Sequence, residues 1–458
     1  MAGIPLGTPL RVLVIGGGIG GLALGQALVV ADVDVQIHER NRNATDWLSG
    51  YRLNINPNGA RALHQCLPEP LWEAFVATSV ATPAGITFRT ERLTELLTLG
   101  RDAVTGGSDD PASGQYGVSR VVLRNLLLAG LGDIVRFGAT FERYTVGDDS
   151  RITAHFTDGS TATGDVLIGA DGANSRVRAQ YLPRARRLDT GAVSIAGRLP
   201  LTARTRSWLP EYLAAGMALV MAPVGRSMFT AAFAGRQRLT EAIRHGHDLA
   251  GLGVDPELLL DDLEDYVLWS VIVQHGACPA GAMAGAAGLD GAAGKRVAQG
   301  MVRDWHPALR RIVAETDPTT VRLLRFKRST LIESWASSPV TVMGDAVHNM
   351  PPVGGLGANT ALRDAAELSS RLVAARDRAD LIAAIAGYEA RMREYGYAAV
   401  RAAARNTERA ISSNPLTRRM SRGWFRLCRA VPALKRRSFG AEWDDSPQPQ
   451  TSPVRSRL

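Results

Sequence analysis

A chain of 458 residues is long for one ordinary hydrophobic core and implies two closely associated domains. With 45% hydrophobic and 21% charged residues it is globular rather than disordered, no apolar run is long enough to span a bilayer, and Cys66, Cys278 and Cys428 lie too far apart for a disulfide framework or a zinc site, so a cytoplasmic protein with no bound metal is expected. The net charge of +9 does not imply a nucleic-acid partner, because eleven basic residues against one acidic residue, Glu408, are gathered between Arg401 and Arg437.

Leu10 to Ile15 reads as a short buried strand, Gly20 to Ala31 as a helix and Val33 to His38 as a second strand, which together make a βαβ unit. The segment imitates a secretory signal, but Arg11 and Gln26 interrupt it. Its glycines are placed for a phosphate: Gly16 permits the tight turn, Gly18 a close backbone approach, and Gly21 the packing of helix on strand. Glu39, with Arg40 beside it, ends the second strand eighteen residues after Gly21, where a carboxylate can accept ribose hydroxyls. A dinucleotide site follows from this register, and the unit alone leaves FAD and NAD equally open. Gly50 to Gly59 carries Arg52, Gly106 to Pro111 is a polar loop, and Arg120 precedes a helical stretch.

Asp165 to Gly172 reads as a buried strand stopping at a turn, with Asn174 or Ser175 capping a helix from Arg176. Alternating strands follow from Leu188 to about Lys327. Met217 to Ala222 and Ser227 to Ala234 form a hairpin. Met217, Leu219 and Met221 share one face and Phe229, Ala231 and Phe233 another; either set roofs an apolar cavity or packs in a core. Gly276 to Gly300, mostly Gly and Ala, is a lid or a plain linker. Val340 to Met343 is a strand delivering Gly344 and Asp345 to a sheet edge. Pro351 and Pro352 stiffen the loop, and Gly354, Gly355 and Gly357 precede a helix opening near Asn359. A plain glycine-rich turn would leave Asp345 and the proline pair unexplained. His348 sits at this strand exit, where a structural role is commoner than a catalytic one.

Met420, Trp424, Leu427, Val431 and Leu434 form a stripe on a basic helix. Membrane-surface attachment is one reading. A helix clamped onto its own protein is favoured, since an apolar stripe normally marks a buried face. Ser446 to Leu458 is expected to be disordered.

The order and separation of Gly16 to Gly21, Gly169 to Arg176 and Gly344 to Asn359 resemble the single-component FAD-dependent aromatic monooxygenases, the para-hydroxybenzoate hydroxylase-like family, over nearly residues 10 to 435. The resemblance implies an α/β fold in which a Rossmann-like FAD-binding domain (1–85, 115–187 and 328–385) is interleaved with a β-sheet substrate domain (86–114 and 188–327). A C-terminal helical segment (386–440) and a tail (441–458) would follow. It also implies supporting roles for Asp171 and Gly172 at FAD and nicotinamide, Arg120 near the ribityl-phosphate, Asp345 on a ribityl hydroxyl, Pro352 at the cofactor with Pro351 lining the substrate, and backbone amides of Gly357, Ala358 and Asn359 at the flavin pyrimidine. Arg52 would contact flavin or substrate. The implied reaction is reduction of FAD by NADH or NADPH, addition of O2 at flavin C4a, and transfer of one oxygen from the hydroperoxide to an electron-rich aromatic or heteroaromatic substrate. An epoxidase of the same architecture, or a flavin oxidase or ligand-binding flavoprotein without oxygenation, are the alternatives. A second GxGxxG, a CxxxxC pair, WxWxIP and FxGxxxHxxxW are all missing, which argues against other flavin classes.

Overall fold

The computed structural model describes residues 10–43, 52–81, 85–100, 110–278 and 291–439. Its central sheet has five parallel strands in the order Val340–Val342, Val166–Gly169, Arg11–Ile15, Asp34–Glu39, Val135–Phe137. The inner strands are nearly pure apolar runs because both of their faces are covered: Val12, Leu13, Val14, Val166, Leu167 and Ile168 expose no surface. The helix Ile19–Val30 is apolar on nearly every side for the same reason and is buried from Gly21 through Leu28, its one polar side chain, Gln26, donating to the carbonyls of Leu127 and Ala129. Ile15 pairs with Gly169, and Gly169 with Val342. Parallel pairing therefore delivers the three glycine motifs to one edge of the sheet, where ligands of open α/β folds bind.

A second, outer sheet has seven strands in the order Arg322–Ser329, Arg187–Pro200, Tyr266–Gln274, Arg226–Phe233, Met217–Met221, Ile86–Thr90, Glu95–Leu99. The hairpin expected from the sequence is present, with Leu219 opposite Phe229. Ile86–Thr90 joins it in parallel. A small sheet of Leu53–Ile55, Tyr116–Val118 and Val80–Ala81 places Arg52 between the two large sheets. The chain thus adopts the expected α/β architecture of a Rossmann-like part interleaved with a β-sheet part and followed by helices.

Two long helices close the structure. Leu356–Ala374 packs on Ile19–Val30, and Arg378–Ile411 runs unbroken for 34 residues, about 50 Å at 1.5 Å per residue. The boundary expected at residue 386 falls inside that helix. Leu381, Ile385, Tyr388 and Met392 pack on the central sheet's core, whereas Ile411 at the far end packs with Ile272 and Phe326 of the outer sheet. One rigid rod therefore braces both halves. The end of the Gly/Ala-rich stretch lies in the helix Ala292–Met301, with Gly294, Ala298 and Met301 buried, so this part is packed structure rather than lid or linker. Residues 279–290, like residues 101–109 of the polar loop and the tail from residue 440, lie outside the described residues.

Candidate active site

A cavity of about 1590 Å³ lies between the two sheets. That exceeds the roughly 300–1,000 Å³ of an ordinary small-ligand pocket and leaves room for a dinucleotide together with a second molecule. Gly16, Gly18, Gly21, Glu39, Arg40, Arg52, Arg120, Asp171, Gly172, Asp345, Pro351, Pro352, Gly357 and Ala358 all line it.

The three motifs touch one another around this space. Gly16 takes φ +115°, and a Cβ there would sit 2.4 Å from the carbonyl oxygen of Ala170, so the first turn presses directly on the second motif. A Cβ on Gly20 would lie 3.1 Å from Met343 Cε and 3.2 Å from Ala361 Cβ, which puts the first motif against the residues that flank the third. Two arginines that the sequence did not single out tie the second motif to the third. Arg178 donates to the carbonyls of Ala173 and Ala346 at 3.0 and 2.9 Å. Arg187 donates to the side-chain oxygens of Asn174 and Asn349 at 2.8 and 2.9 Å.

Helix ends supply the electrostatics. Ile19–Val30 begins at Gly18 and Leu356–Ala374 begins at Gly355, which holds the left-handed φ of +66°; neither start carries a side-chain cap or an acidic residue in its first turn. Their first-turn residues line the cavity, so amide groups and the positive ends of two helix dipoles are presented to one ligand. Glu39 bridges the glycine turn, accepting from Gly17 N–H at 2.7 Å and Asn41 N–H at 2.9 Å, and retains lone pairs for further donors. Burial pulls the Arg120 guanidinium down, and the charge of Asp345, also on the cavity wall, opposes that shift. Burial raises the Asp171 carboxyl, although the Arg176 amide holds one oxygen at 2.8 Å; the other oxygen, Oδ1, is buried without a partner.

The opposite wall is one face of the outer sheet. Pairing aligns Phe88, Leu219, Phe229 and Ser270 in a row across four strands, flanked by Met217, Met221, Leu268 and Ile272. Because side chains alternate, Val267, Trp269, Val271 and Val273 point the other way into a separate core. Arg52 stands at the junction, its backbone N–H bonded to Tyr266 Oη at 2.9 Å and its guanidinium to the carbonyl of Ala232 at 2.8 Å. Burial lowers its pKa to about 10, which leaves it cationic at neutral pH.

Three of the residues singled out above do not line the cavity. His348 is fully buried behind it, its Nε2 2.6 Å from Asp364 Oδ2, and it braces the loop; that carboxylate also accepts Gly344 N–H at 2.7 Å and, through Oδ1, Tyr395 O–H at 2.7 Å. Phe233 ends its strand inside the core against Tyr266. The Asn359 side chain is buried, accepting from Asn56 N–H at 2.9 Å and donating to the carbonyls of Asn54 and Gly355 at 2.8 and 2.7 Å. His38 was overlooked. It lines the cavity, stacks on Phe156, has an unpartnered Nε2, and is pushed down to about 4 by burial and then by Arg136.

A family described as FAD binding domain matches residues 276–403. A solved FAD-containing protein of Photorhabdus luminescens assigned to the monooxygenases is 30% identical, covering 88% of this chain and 98% of that one with a TM-score of 0.74. The chain belongs to the FAD-dependent monooxygenases. The chain is also 34% identical to the dual O-methyltransferase/FAD-dependent monooxygenase CTB3 of Cercospora beticola over 83% of its own length, but it spans only 44% of that protein. Klebsiella pneumoniae HpxO, solved with FAD and uric acid, shares the fold at 21% identity and a TM-score of 0.72, over 96% and 97% of the two chains. FAD, the cofactor of the family, fits the residues of this chain: there is open space beside Gly18, two uncapped helix starts open onto the cavity, and the lining residues Asp171 and His38 each keep a buried polar atom, Oδ1 and Nε2, without a partner.

Proposed function

We propose that this chain is an NAD(P)H-dependent flavin monooxygenase that inserts one oxygen atom from O2 into an electron-rich aromatic or heteroaromatic small molecule. The reading rests on one observation above all: two uncapped helix starts and an apolar sheet face open onto the same cavity. Bound there, FAD supplies electron transfer from the nicotinamide and activation of O2. The chain's own residues hold and shield it. Amides at the start of Ile19–Val30 take the pyrophosphate, Glu39 the ribose, and Asp345 with Arg120 the ribityl chain. Amides of Gly357 and Ala358 stabilise negative charge at the pyrimidine edge of the ring. Leu219, Phe229, Met217 and Met221 seat an apolar ring and exclude water, and Arg52 orients an anionic or carbonyl oxygen on that ring or on the flavin.

The test is turnover under ¹⁸O₂ with ring compounds selected because they stimulate NADH or NADPH consumption. One labelled oxygen per product molecule is expected. Consumption of NAD(P)H that returns all the label as hydrogen peroxide with every stimulating compound would instead identify an oxidase.

A further inference from the structure

The helix Pro415–Ala430 is attached to the outer sheet through a face that carries Arg418, Arg422, Phe425 and Cys428, with its apolar stripe turned to solvent. Arg418, almost fully buried, donates to the carbonyls of Ser412 and Arg226 and to Ser227 Oγ. Arg422 pairs with Glu91 at 2.5 Å, Cys428 packs on Leu97 and Leu99, and in the following helix, Pro432–Phe439, Lys435 donates to the Thr98 carbonyl at 2.6 Å. Opposite them, Leu416 is 65% exposed, Met420 67%, Trp424 45%, Leu427 47% and Val431 41%, at successive spacings of 4, 4, 3 and 4. The helix is clamped onto its own protein as favoured from the sequence, but Met420, Trp424, Leu427 and Val431 of the stripe do not form the clamped face; only Leu434 packs inward.

The stripe has a chemical setting that says what covers it. Arg419, Arg426, Arg436 and Arg437 are exposed around it, and no acidic residue occurs between Asn414 and Phe439. Met420, Trp424 and Leu427 also line the cavity, so the stripe is continuous with the apolar mouth of the site. Two copies meeting face to face across a two-fold axis would bring these arginine-rimmed stripes together and oppose like charges. Among the described residues no helix is long and apolar enough to cross a membrane. An apolar, tryptophan-bearing face rimmed by arginine fits an anionic lipid surface instead.

We propose that the stripe from Leu416 to Val431 rests on an anionic phospholipid bilayer and opens the cavity toward it, so that a lipophilic substrate enters from the membrane. The substrate clause rests on the oxygenation proposed above; the docking itself does not. The test is co-sedimentation of the full-length, FAD-loaded chain with vesicles of phosphatidylcholine alone or mixed with phosphatidylglycerol. Binding is expected to the mixed vesicles, at least tenfold weaker to the neutral ones, and to fall with added salt. Arg419→Gln with Arg426→Gln lowers it by about fivefold per charge, roughly 1 kcal/mol each. Leu416→Glu with Val431→Glu, neither of which lines the cavity, abolishes sedimentation while the FAD content and the melting temperature stay those of the parent. Absence of binding to mixed vesicles overturns the proposal, as does binding indifferent to all four substitutions or lipid-free self-association that the glutamates abolish. Vesicle binding without oxygenation of any ring compound would count against the proposed reaction alone.

Discussion

Asp364 shows how a single buried carboxylate organises this site without entering it. Three donors converge on it, from Gly344, His348 and Tyr395, and it exposes no surface. Burial by itself would lower the His348 pKa, but the charge and hydrogen bond of Asp364 outweigh it and the net direction is upward. A histidine raised in the folded state contributes stability that is fully present below its unfolded value near 6.5 and is lost as pH rises through the folded one. His348→Gln should therefore cost about 3–5 kcal/mol at pH 6, and less at pH 9, in urea melts run at both values. An equal cost at both would mean that the pair is not ionised. Asp345 differs because it faces the cavity and has Arg120 beside it. Asp345→Ala is expected to purify colourless, as read from the ratio of flavin to protein absorbance; full FAD content would remove Asp345 from the site.

The strand Tyr266–Gln274 separates function from stability residue by residue. Leu268, Ser270 and Ile272 face the cavity, while Trp269, fully buried on the other side, donates through Nε1 to Thr316 Oγ1 at 2.7 Å. Trp269→Ala should cost about 3–5 kcal/mol of stability. Leu268→Ala should leave the melt nearly unchanged yet raise the fraction of NAD(P)H consumption that yields peroxide, because it loosens the seal around the ring. Comparable melts for the two variants would contradict this assignment of faces. Alternation of this kind is readable in a sequence, as it was for Met217, Leu219 and Met221. Which face meets the cavity is not readable, since core and cavity walls are equally apolar. The buried face of Pro415–Ala430 is hidden for a related reason: periodicity reports an apolar face, and only the bonds of Arg418 and Arg422 and the packing of Phe425 and Cys428 show that a different face is the attached one.

Across the whole molecule, what was legible is what backbone geometry demands locally. Gly16 must be glycine wherever it occurs in such a turn, and strand, turn, helix and acid stand within thirty residues of each other, so the dinucleotide unit could be read from the chain alone. The outer sheet was only half readable, because Ile86–Thr90 joins Met217–Met221 across more than a hundred residues and nothing local records that pairing. The ties made by Arg178, Arg187 and Asn359 were hidden for the same reason. The long helix Arg378–Ile411 then fixes the two sheets against each other, with the cavity between them. The central claim is that three distant stretches build one slot for the flavin with the apolar sheet face as its far wall. A crystal structure of the chain with FAD bound tests it most directly. The account expects the pyrophosphate at the start of Ile19–Val30 and the tricyclic ring between Gly357 and the Leu219–Phe229 face; a ring seated away from that face, or FAD bound outside this cavity, would contradict it.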